Sequence, residues 1–157
     1  MDRPNRRPNR VPRYDYSQAG SYFVTICTQD RKMLLSRISQ ADRPELSSRG
    51  CVAEKYIRQM DAFYDHLSVD KYVIMPDHIH LLITLHENAT TVREERTSAI
   101  ARFVGTFKRF CNKEYGHNIW QDRYYDHVIR NQEDYNEVWE YIDNNPRKWF
   151  IQRRGYE

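Results

Sequence analysis

The length and composition of the chain are those of one folded domain, and they exclude a disordered or membrane-spanning protein. With 157 residues, 39% of them hydrophobic and 30% charged, the chain can bury a core. No apolar stretch approaches the ~20 residues of a membrane helix, and the wide spacing of Cys27, Cys51 and Cys111 excludes a CxxC zinc site or a disulfide framework.

The net charge of +3 is unevenly distributed, because basic side chains concentrate at both ends of the chain. Residues 1–13 contain five arginines and one acidic residue, and four more basic residues follow Pro146. Basic ends on a nearly neutral body predict a polyanionic partner, most often nucleic acid. We expect a flexible basic arm over residues 1–13 and a single domain over residues 14–157. The arm has no apolar segment typical of a secretory signal, so the expected location is the cytoplasm.

The first half of the chain predicts one strand and one helix. Residues 21–28 are β-branched and aromatic, as in a strand, and residues 30–38 could form a hairpin or a return strand. Residues 39–46 are expected to form a loop. Ser47 or Ser48 can cap a helix that runs to about Tyr64, because apolar side chains recur there at helical spacing.

Two further strands are predicted over residues 67–75 and 78–85. Pro76 and Asp77 separate them and are typical of a turn, so the two strands should form an antiparallel hairpin. Residues 87–97 are polar and are expected to be mobile.

The last third of the chain predicts a helix, a strand and a final helix. Ile100, Phe103, Phe107 and Cys111 recur at helical spacing, and Gly116 suits the end of that helix. Residues 118–130 indicate a strand. Asn131 then caps a last helix that should run to Asn145 and end at Pro146.

This order of elements predicts an α+β fold of the ferredoxin-like class, with the arrangement βαββαβ. Its antiparallel sheet has two helices on one face. The other face is left for a ligand, a substrate or the extra C-terminal helix.

The stretch MPDHIHLL (residues 75–82) contains a His-x-His pair inside an apolar strand. Because neighbouring strand residues alternate between faces, His78 and His80 point to the same side, with Cβ atoms roughly 6–7 Å apart. The opposite, wholly apolar face carries Ile79, Leu81, Ile83 and Leu85. Two imidazoles at this separation can converge on one metal ion, although two ordinary surface histidines remain an alternative.

The last predicted helix carries a nucleophile and a polar side chain that could complete such a site. Tyr141 and Asn145 are four residues apart and therefore lie on one face of the helix. A tyrosine hydroxyl can attack a phosphate and form a covalent intermediate, while a metal polarises a phosphate oxygen. The alternative for Tyr141 is a core tyrosine whose hydroxyl is satisfied within the fold.

Four stretches of the chain together resemble a known family. They are YDYSQAGSYFVTICTQDRK, VIMPDHIHLLI, IWQDRYYDHVIRNQEDY and EYIDNNP, which extend in order from Tyr14 to Pro146. They are similar to the single-tyrosine HUH transposases, specifically the REP-associated tyrosine transposase branch.

This resemblance implies cleavage and rejoining of single-stranded DNA through a covalent 5′-phosphotyrosine. His78 and His80 match the metal-binding histidine pair of the family, and Tyr141 matches its nucleophile. Asn145 matches the position of a polar third metal ligand, which is often glutamine in related enzymes. The implied cofactor is a divalent metal, Mg or Mn, and the implied partner is single-stranded or hairpin DNA. Monomers and homodimers that exchange the tyrosine helix are both compatible with the resemblance.

Several basic side chains are predicted to contact DNA phosphates: Lys108, Arg109, Arg123 and Arg130. His127 could reach the DNA or support the site. Its neighbour Asp126 should point to the opposite face of the strand, so the two cannot form a side-by-side dyad. Two other functions stay open from the sequence. One is a noncatalytic module that binds single-stranded nucleic acid, and the other is a hydrolytic nuclease in which water replaces Tyr141 as the attacking group.

Overall fold

A computed structural model describes residues 20–39, 43–86 and 93–154, and for residues 93–98 and 154 it describes the backbone alone. The predicted basic arm over residues 1–13 lies outside this part of the chain, as do residues 87–92 of the predicted polar segment. None of the described helices has the length and hydropathy that a membrane span requires.

The described strands and long helices number six and three. In chain order they are β1 (Ser21–Cys27), β2 (Ser36–Arg37), β3 (Glu45–Leu46), α1 (Ser48–Phe63), β4 (Leu67–Ile74), β5 (His78–Leu85), α2 (Arg93–Tyr115), β6 (Tyr125–Val128) and α3 (Gln132–Arg154).

Four of the strands form one antiparallel sheet in the order β4-β5-β1-β6. Strands β1, β4, β5 and β6 with helices α1 and α2 give the βαββαβ arrangement, and β1 pairs with both β5 and β6. This confirms the predicted ferredoxin-like α+β fold. Strands β2 and β3 form a separate two-stranded ribbon.

Helices α1 and α2 cover one face of the sheet and enclose the larger of two buried clusters. On the sheet side this cluster contains Ile79, Leu81, Ile83 and Leu85, the apolar face predicted from the alternation in β5. Helix α3 covers part of the other face. There Tyr135, Trp139 and Ile142 pack with Leu82 and Met75 in a second cluster. The sheet therefore lies between two layers, and the histidines of β5 belong to the layer of α3.

Helix α1 begins where the sequence predicts, at a serine cap. The Ser47 hydroxyl accepts a hydrogen bond from Gly50 N at 3.0 Å and donates to the carbonyl of Leu34. Gly50 lies directly against the chain that precedes the helix, because a Cβ atom there would stand 2.0 Å from Leu35 O. This close approach packs the start of α1 against the segment that follows β1.

The last helix is longer than predicted. Pro146 lies inside α3, which continues to Arg154 instead of ending at Asn145. Proline lacks the N–H that would bond one turn back, so continuing the helix has a cost. Tertiary packing offsets it, because Pro146 is buried and Trp149 packs against the second cluster.

Three other predicted boundaries were wrong. Of the strand expected over residues 118–130, only β6 forms. In the segment before it, the side chains of Asn118 and Gln121 hydrogen-bond to backbone groups and hold the chain in irregular structure. The loop expected over residues 39–46 contains β3, which pairs with β2. Helix α2 starts at Arg93, inside the segment expected to be mobile over residues 87–97.

Candidate active site

His78 and His80, called the histidine pair below, lie side by side on the face of the sheet that α3 covers. Their ring centroids are 4.5 Å apart, and the two side chains are almost wholly buried. The turn through Pro76 and Asp77 positions them, because Met75 N donates to His78 O at 2.8 Å and closes the hairpin. The pair is therefore part of a rigid strand rather than of a loop.

His80 is held by a hydroxyl from the neighbouring strand. Thr25 of β1 is its register partner, and Thr25 Oγ1 stands 2.8 Å from His80 Nδ1. Burial, together with the positive field of His78 and Arg31, lowers the pKa of His80 to about 3. The ring is neutral at physiological pH, which is the form that binds metals.

His78 is held by the carboxylate of the preceding residue. Asp77 Oδ1 lies 2.6 Å from His78 Nδ1, and Arg31 pairs with the same carboxylate through Nε at 3.1 Å and a terminal nitrogen at 3.3 Å. Burial acts to raise the pKa of the Asp77 carboxyl, but hydrogen bonds from His78 and Arg31 outweigh it and hold that pKa below its ordinary value. Because both rings of the histidine pair use Nδ1 for these contacts, Nε2 is the atom that each can offer to a metal.

Helix α3 brings Tyr141 to the histidine pair within one chain. The Tyr141 ring centroid lies 5.4 Å from that of His80 and 5.8 Å from that of Phe23, and the side chain is 44% exposed. Two turns further on, the Trp149 ring lies 6.2 Å from His78. Asn145 is buried and sits four residues from each of these aromatics, so it faces the histidine pair from the same side of the helix.

Cationic side chains accompany the aromatic rings on the outer part of α3. Lys148 Nζ lies 5.9 Å from the Tyr141 ring centroid, and the Arg153 guanidinium lies 4.2 Å from that of Trp149. These charges line the approach to Tyr141, where a polyanion would come close to the histidine pair.

Within the described residues, no group of three or more His, Cys, Asp and Glu side chains could hold a metal ion. The histidine pair could therefore supply only two protein donors, and a third would be the amide oxygen of Asn145. Two imidazoles and an amide oxygen suit Mn²⁺ and its transition-metal neighbours, whereas Mg²⁺ prefers a set of oxygens. Such a site leaves positions for water or phosphate oxygens.

His127 and Arg130 lie beyond the edge of this site. His127 is the register partner of Phe23, so it belongs to the same sheet face, and its Nε2 lies 2.9 Å from Asp134 Oδ2. Asp126 pairs with Val24 and belongs to the opposite face, as predicted. Arg130 is exposed and lines a cleft of about 420 Å³ together with His127.

The structure does not bring the other predicted DNA contacts to the histidine pair. Lys108 and Arg109 are on α2, which packs on the opposite face of the sheet. Lys108 Nζ donates to Gln121 O at 2.8 Å, and Arg109 donates to Thr106 Oγ1 at 3.0 Å. Arg123 is exposed in the irregular segment before β6.

Reasoning from the sequence missed several residues that surround the histidine pair: Phe23, Thr25, Arg31, Asp77, Tyr125, Lys148 and Trp149. Asp77 is next to His78 in the sequence, but its Pro-Asp context indicated only a turn. Thr25 and Phe23 become visible once β1 is aligned with β5, since cross-strand neighbours share a face. Trp149 was missed because the helix was expected to end before it.

Comparison with known proteins decides the family. The family described as IS200-like transposases matches residues 17–145, which is most of the chain. The chain belongs to the IS200-like transposase family. This confirms the resemblance drawn from the sequence and makes the chain a member of a family of transposases.

Individual relatives match this family member over two thirds or more of their length. An uncharacterised protein of Haemophilus influenzae is 30% identical over 163 aligned residues, which cover 92% of this chain and 90% of the relative. A REP-associated tyrosine transposase of Escherichia coli is 26% identical, with 85% of this chain and 70% of the relative covered. The solved structure of a REP-associated tyrosine transposase bound to a REP hairpin matches with a TM-score of 0.62 and 24% identity, covering 82% of this chain and 67% of that one. That structure shares the fold.

Proposed function

We propose that this family member cuts and rejoins single-stranded DNA through a covalent 5′-phosphotyrosine at Tyr141, in a reaction that depends on a divalent metal. The observation that carries the proposal is the position of Tyr141 in the same chain, half exposed and with its ring beside the buried imidazole of His80. A core tyrosine would be closed off from solvent, and an isolated surface tyrosine would have no such neighbours.

The residues present fit a divalent cation. His80 is neutral at physiological pH, both rings direct Nδ1 toward protein partners, and buried Asn145 lies on the same helix face as Tyr141 and Trp149. When bound, the cation would polarise a non-bridging oxygen of the scissile phosphate and stabilise the charge that develops there. We propose His78, His80 and Asn145 as its protein ligands, with Mn²⁺ or Mg²⁺ as the metal.

Tyr141 performs the covalent step. Its Oη attacks the phosphorus and gives up its hydrogen to solvent, the bond from phosphorus to the 3′ oxygen breaks, and the released 3′ oxygen takes up a proton. The 5′ phosphate stays on Tyr141 as a diester, so the bond energy is kept. Rejoining is the reverse reaction, in which a 3′-hydroxyl attacks the phosphotyrosine. Lys148, which lies over the Tyr141 ring, attracts the phosphate to this side of α3.

Hairpin-forming repeat DNA is the substrate class that we propose. Support comes from the solved relative that is bound to a REP hairpin and shares this fold. Basic side chains on the exposed side of α3, including Lys148 and Arg153, offer phosphate contacts beside Tyr141. His127, Arg130 and Arg123 at the β6 edge offer others.

The test uses hairpin oligonucleotides with single-stranded flanks, labelled at one end or the other, incubated with protein and Mn²⁺ or Mg²⁺. A 5′-phosphotyrosine keeps the downstream strand, so a 3′ label should migrate with the protein on a denaturing gel. A 5′ label should appear in a free fragment whose 3′-hydroxyl a polymerase can extend. Tyr141→Phe should abolish the adduct. Tyr56→Phe, on the opposite layer, is the matched control and should retain it.

The same experiment separates the competing functions. Cleavage that survives Tyr141→Phe would identify a hydrolytic nuclease and eliminate the tyrosine as nucleophile. Binding without cleavage at every metal tested would identify a noncatalytic binding module. A double change of His78→Ala and His80→Ala should abolish cleavage but leave much of the DNA affinity. That affinity should fall steeply with added salt, because phosphate contacts supply most of it.

A further inference from the structure

Asp77 has a buried carboxylate whose direction is fixed by the turn that carries it. Its backbone oxygen accepts hydrogen bonds from Thr28 N at 3.1 Å and from Thr28 Oγ1 at 3.2 Å, and the residue is 6% exposed. The turn connects β4 to β5, and Asp77 is its last residue, directly before His78. Asp77 Oδ1 stands 2.6 Å from His78 Nδ1 as a result.

This contact decides which nitrogen of His78 carries the hydrogen. An ionised carboxylate accepts hydrogen bonds and has none to donate, so His78 Nδ1 must be the donor. The guanidinium of Arg31 also approaches His78 Nδ1, at 3.3 Å, but a guanidinium only donates, so this longer contact would require Nδ1 to be an acceptor. The shorter contact to the carboxylate determines the arrangement. A neutral ring with its hydrogen on Nδ1 has its lone pair on Nε2.

Arg31 holds the carboxylate in place from a backbone conformation that is uncommon for its residue type. Asp30 and Arg31 have φ angles of 55° and 52°, in the left-handed region that non-glycine residues usually avoid. The turn is held by Arg31 N donating to Thr28 O at 3.1 Å and by Lys32 N donating to Gln29 O at 3.2 Å. From it, the Arg31 side chain pairs with Asp77 through two nitrogens. Strained backbone that aims a side chain at a functional group is typical of functional sites.

We propose that Asp77 and Arg31 are positioning residues that keep the hydrogen of His78 on Nδ1 and so present Nε2 to a divalent cation. The metal part of this inference rests on the proposed function, but the tautomer is a property of the protein alone. A carboxylate behind a metal-binding histidine also raises the basicity of the ring and fixes its orientation. A purely structural Asp77 would serve the turn between β4 and β5 without controlling the tautomer.

The first measurement uses metal-free protein in chelator, with ¹⁵N-labelled histidine. Long-range ¹H–¹⁵N spectra distinguish the two tautomers at neutral pH. We expect the Nδ1–H form for His78 in the unmodified protein. Asp77→Leu removes the acceptor at similar size and should shift His78 toward the Nε2–H form. Asp77→Asn keeps an oxygen that can accept, so it should preserve the Nδ1–H form.

The second measurement is Mn²⁺ binding by calorimetry on the same proteins. Loss of such a partner typically weakens metal binding by about 10–100-fold, and we expect this for Asp77→Leu. Asp77→Asn should restore most of the affinity. Arg31→Met should weaken binding less than Asp77→Leu. Arg37→Met is the matched control, because Arg37 is an exposed arginine that pairs with Glu45 instead of Asp77, and it should change neither tautomer nor affinity.

The outcomes separate this inference from the proposed function. If folded Asp77→Leu keeps both the Nδ1–H form and the original Mn²⁺ affinity, the positioning role is overturned. If Asp77→Leu does not fold, Arg31→Met decides, and an unchanged tautomer and affinity there overturn the proposal that Arg31 and Asp77 together position His78. If the unmodified protein shows the Nδ1–H form but binds no divalent cation, the metal in the proposed function fails while the control of the tautomer stands.

Discussion

Thr25 Oγ1 lies 2.8 Å from His80 Nδ1, and the two residues are direct partners across β1 and β5. This hydroxyl can donate or accept, so it occupies Nδ1 and orients the His80 ring without dictating its tautomer. It leaves His80 with Nε2 as the atom that a metal can reach. The histidine pair is therefore supported by two different strand neighbours, one in the turn and one across the sheet.

Replacing Thr25 with valine should test this support. The change keeps the β-branched shape but leaves His80 Nδ1 without its partner in a buried site, which we expect to cost about 1–3 kcal/mol of stability. Mn²⁺ affinity should fall by about 10-fold or more, since the ring orientation is no longer fixed. Calorimetry and chemical denaturation measure the two effects. Thr25→Ser retains the hydroxyl and is the control; equal losses in the serine and valine variants would refute the role of the hydroxyl.

The free energy of unfolding of the metal-free protein should depend on pH through His80. The pKa of His80 is about 3 in the folded state and 6.5 in an unperturbed histidine. Between these two pH values the unfolded state binds a proton at His80 and the folded state does not. The stabilisation from a neutral His80 is complete above pH 6.5 and is lost as the pH falls toward 3. One such proton corresponds to a slope of about 1.4 kcal/mol per pH unit within that window.

Urea denaturation in chelator between pH 4.5 and 7 measures this slope. Asp77 does not contribute there, because its carboxyl has a pKa below its ordinary value of 3.8 and titrates at lower pH. His80→Gln should flatten the dependence by about one proton. A slope that is the same in the variant would show that His80 is not the group responsible.

The sequence was sufficient for the fold and for the two halves of the site because both depend on local periodicity. Alternation along β5 assigns His78 and Ile79 to opposite faces, and helical spacing aligns Tyr141 with Asn145. These relationships hold whatever the rest of the chain does. The order of elements then limits the topology to a few arrangements, of which the observed one was predicted.

The supporting residues could not be predicted in the same way, because their contacts depend on strand register and on a turn. Thr25 and His80 are 55 residues apart in the sequence, and Arg31 is 46 residues from Asp77. A shift of one residue in the register would have placed Thr25 on the other face. The length of α3 was mispredicted for another reason: the local effect of Pro146 was overridden by the burial of Pro146 and the packing of Trp149.

Alanine at Gly50 should destabilise the protein, although glycine to alanine in a helix usually stabilises. A Cβ atom there would lie 2.0 Å from Leu35 O and 3.3 Å from Leu46 Cβ, so the backbone of one segment must move. Gly105→Ala in α2 is the matched control, since the nearest atom is Arg109 Nη1 at 3.5 Å. That change should stabilise by about 0.5–1 kcal/mol. Thermal and urea unfolding measure both variants, and a stabilising Gly50→Ala would show that the close approach is relieved at little cost.

Tyr125 should contribute to binding of single-stranded DNA by stacking. It is on the edge strand β6 as the register partner of Thr25, on the face of the histidine pair, and 63% of its side chain is exposed. A base–aromatic stack contributes about 1–3 kcal/mol, so Tyr125→Ala should weaken binding by about 5–150-fold. Tyr125→Phe keeps the ring and should bind nearly as well. Fluorescence anisotropy with a labelled oligonucleotide measures these affinities.

Phe63, exposed on the layer of α1, provides the control, because Phe63→Ala removes an exposed ring from the face remote from Tyr141. Equal losses of affinity in Phe63→Ala and Tyr125→Ala would contradict a specific role for the β6 edge in binding the DNA strand.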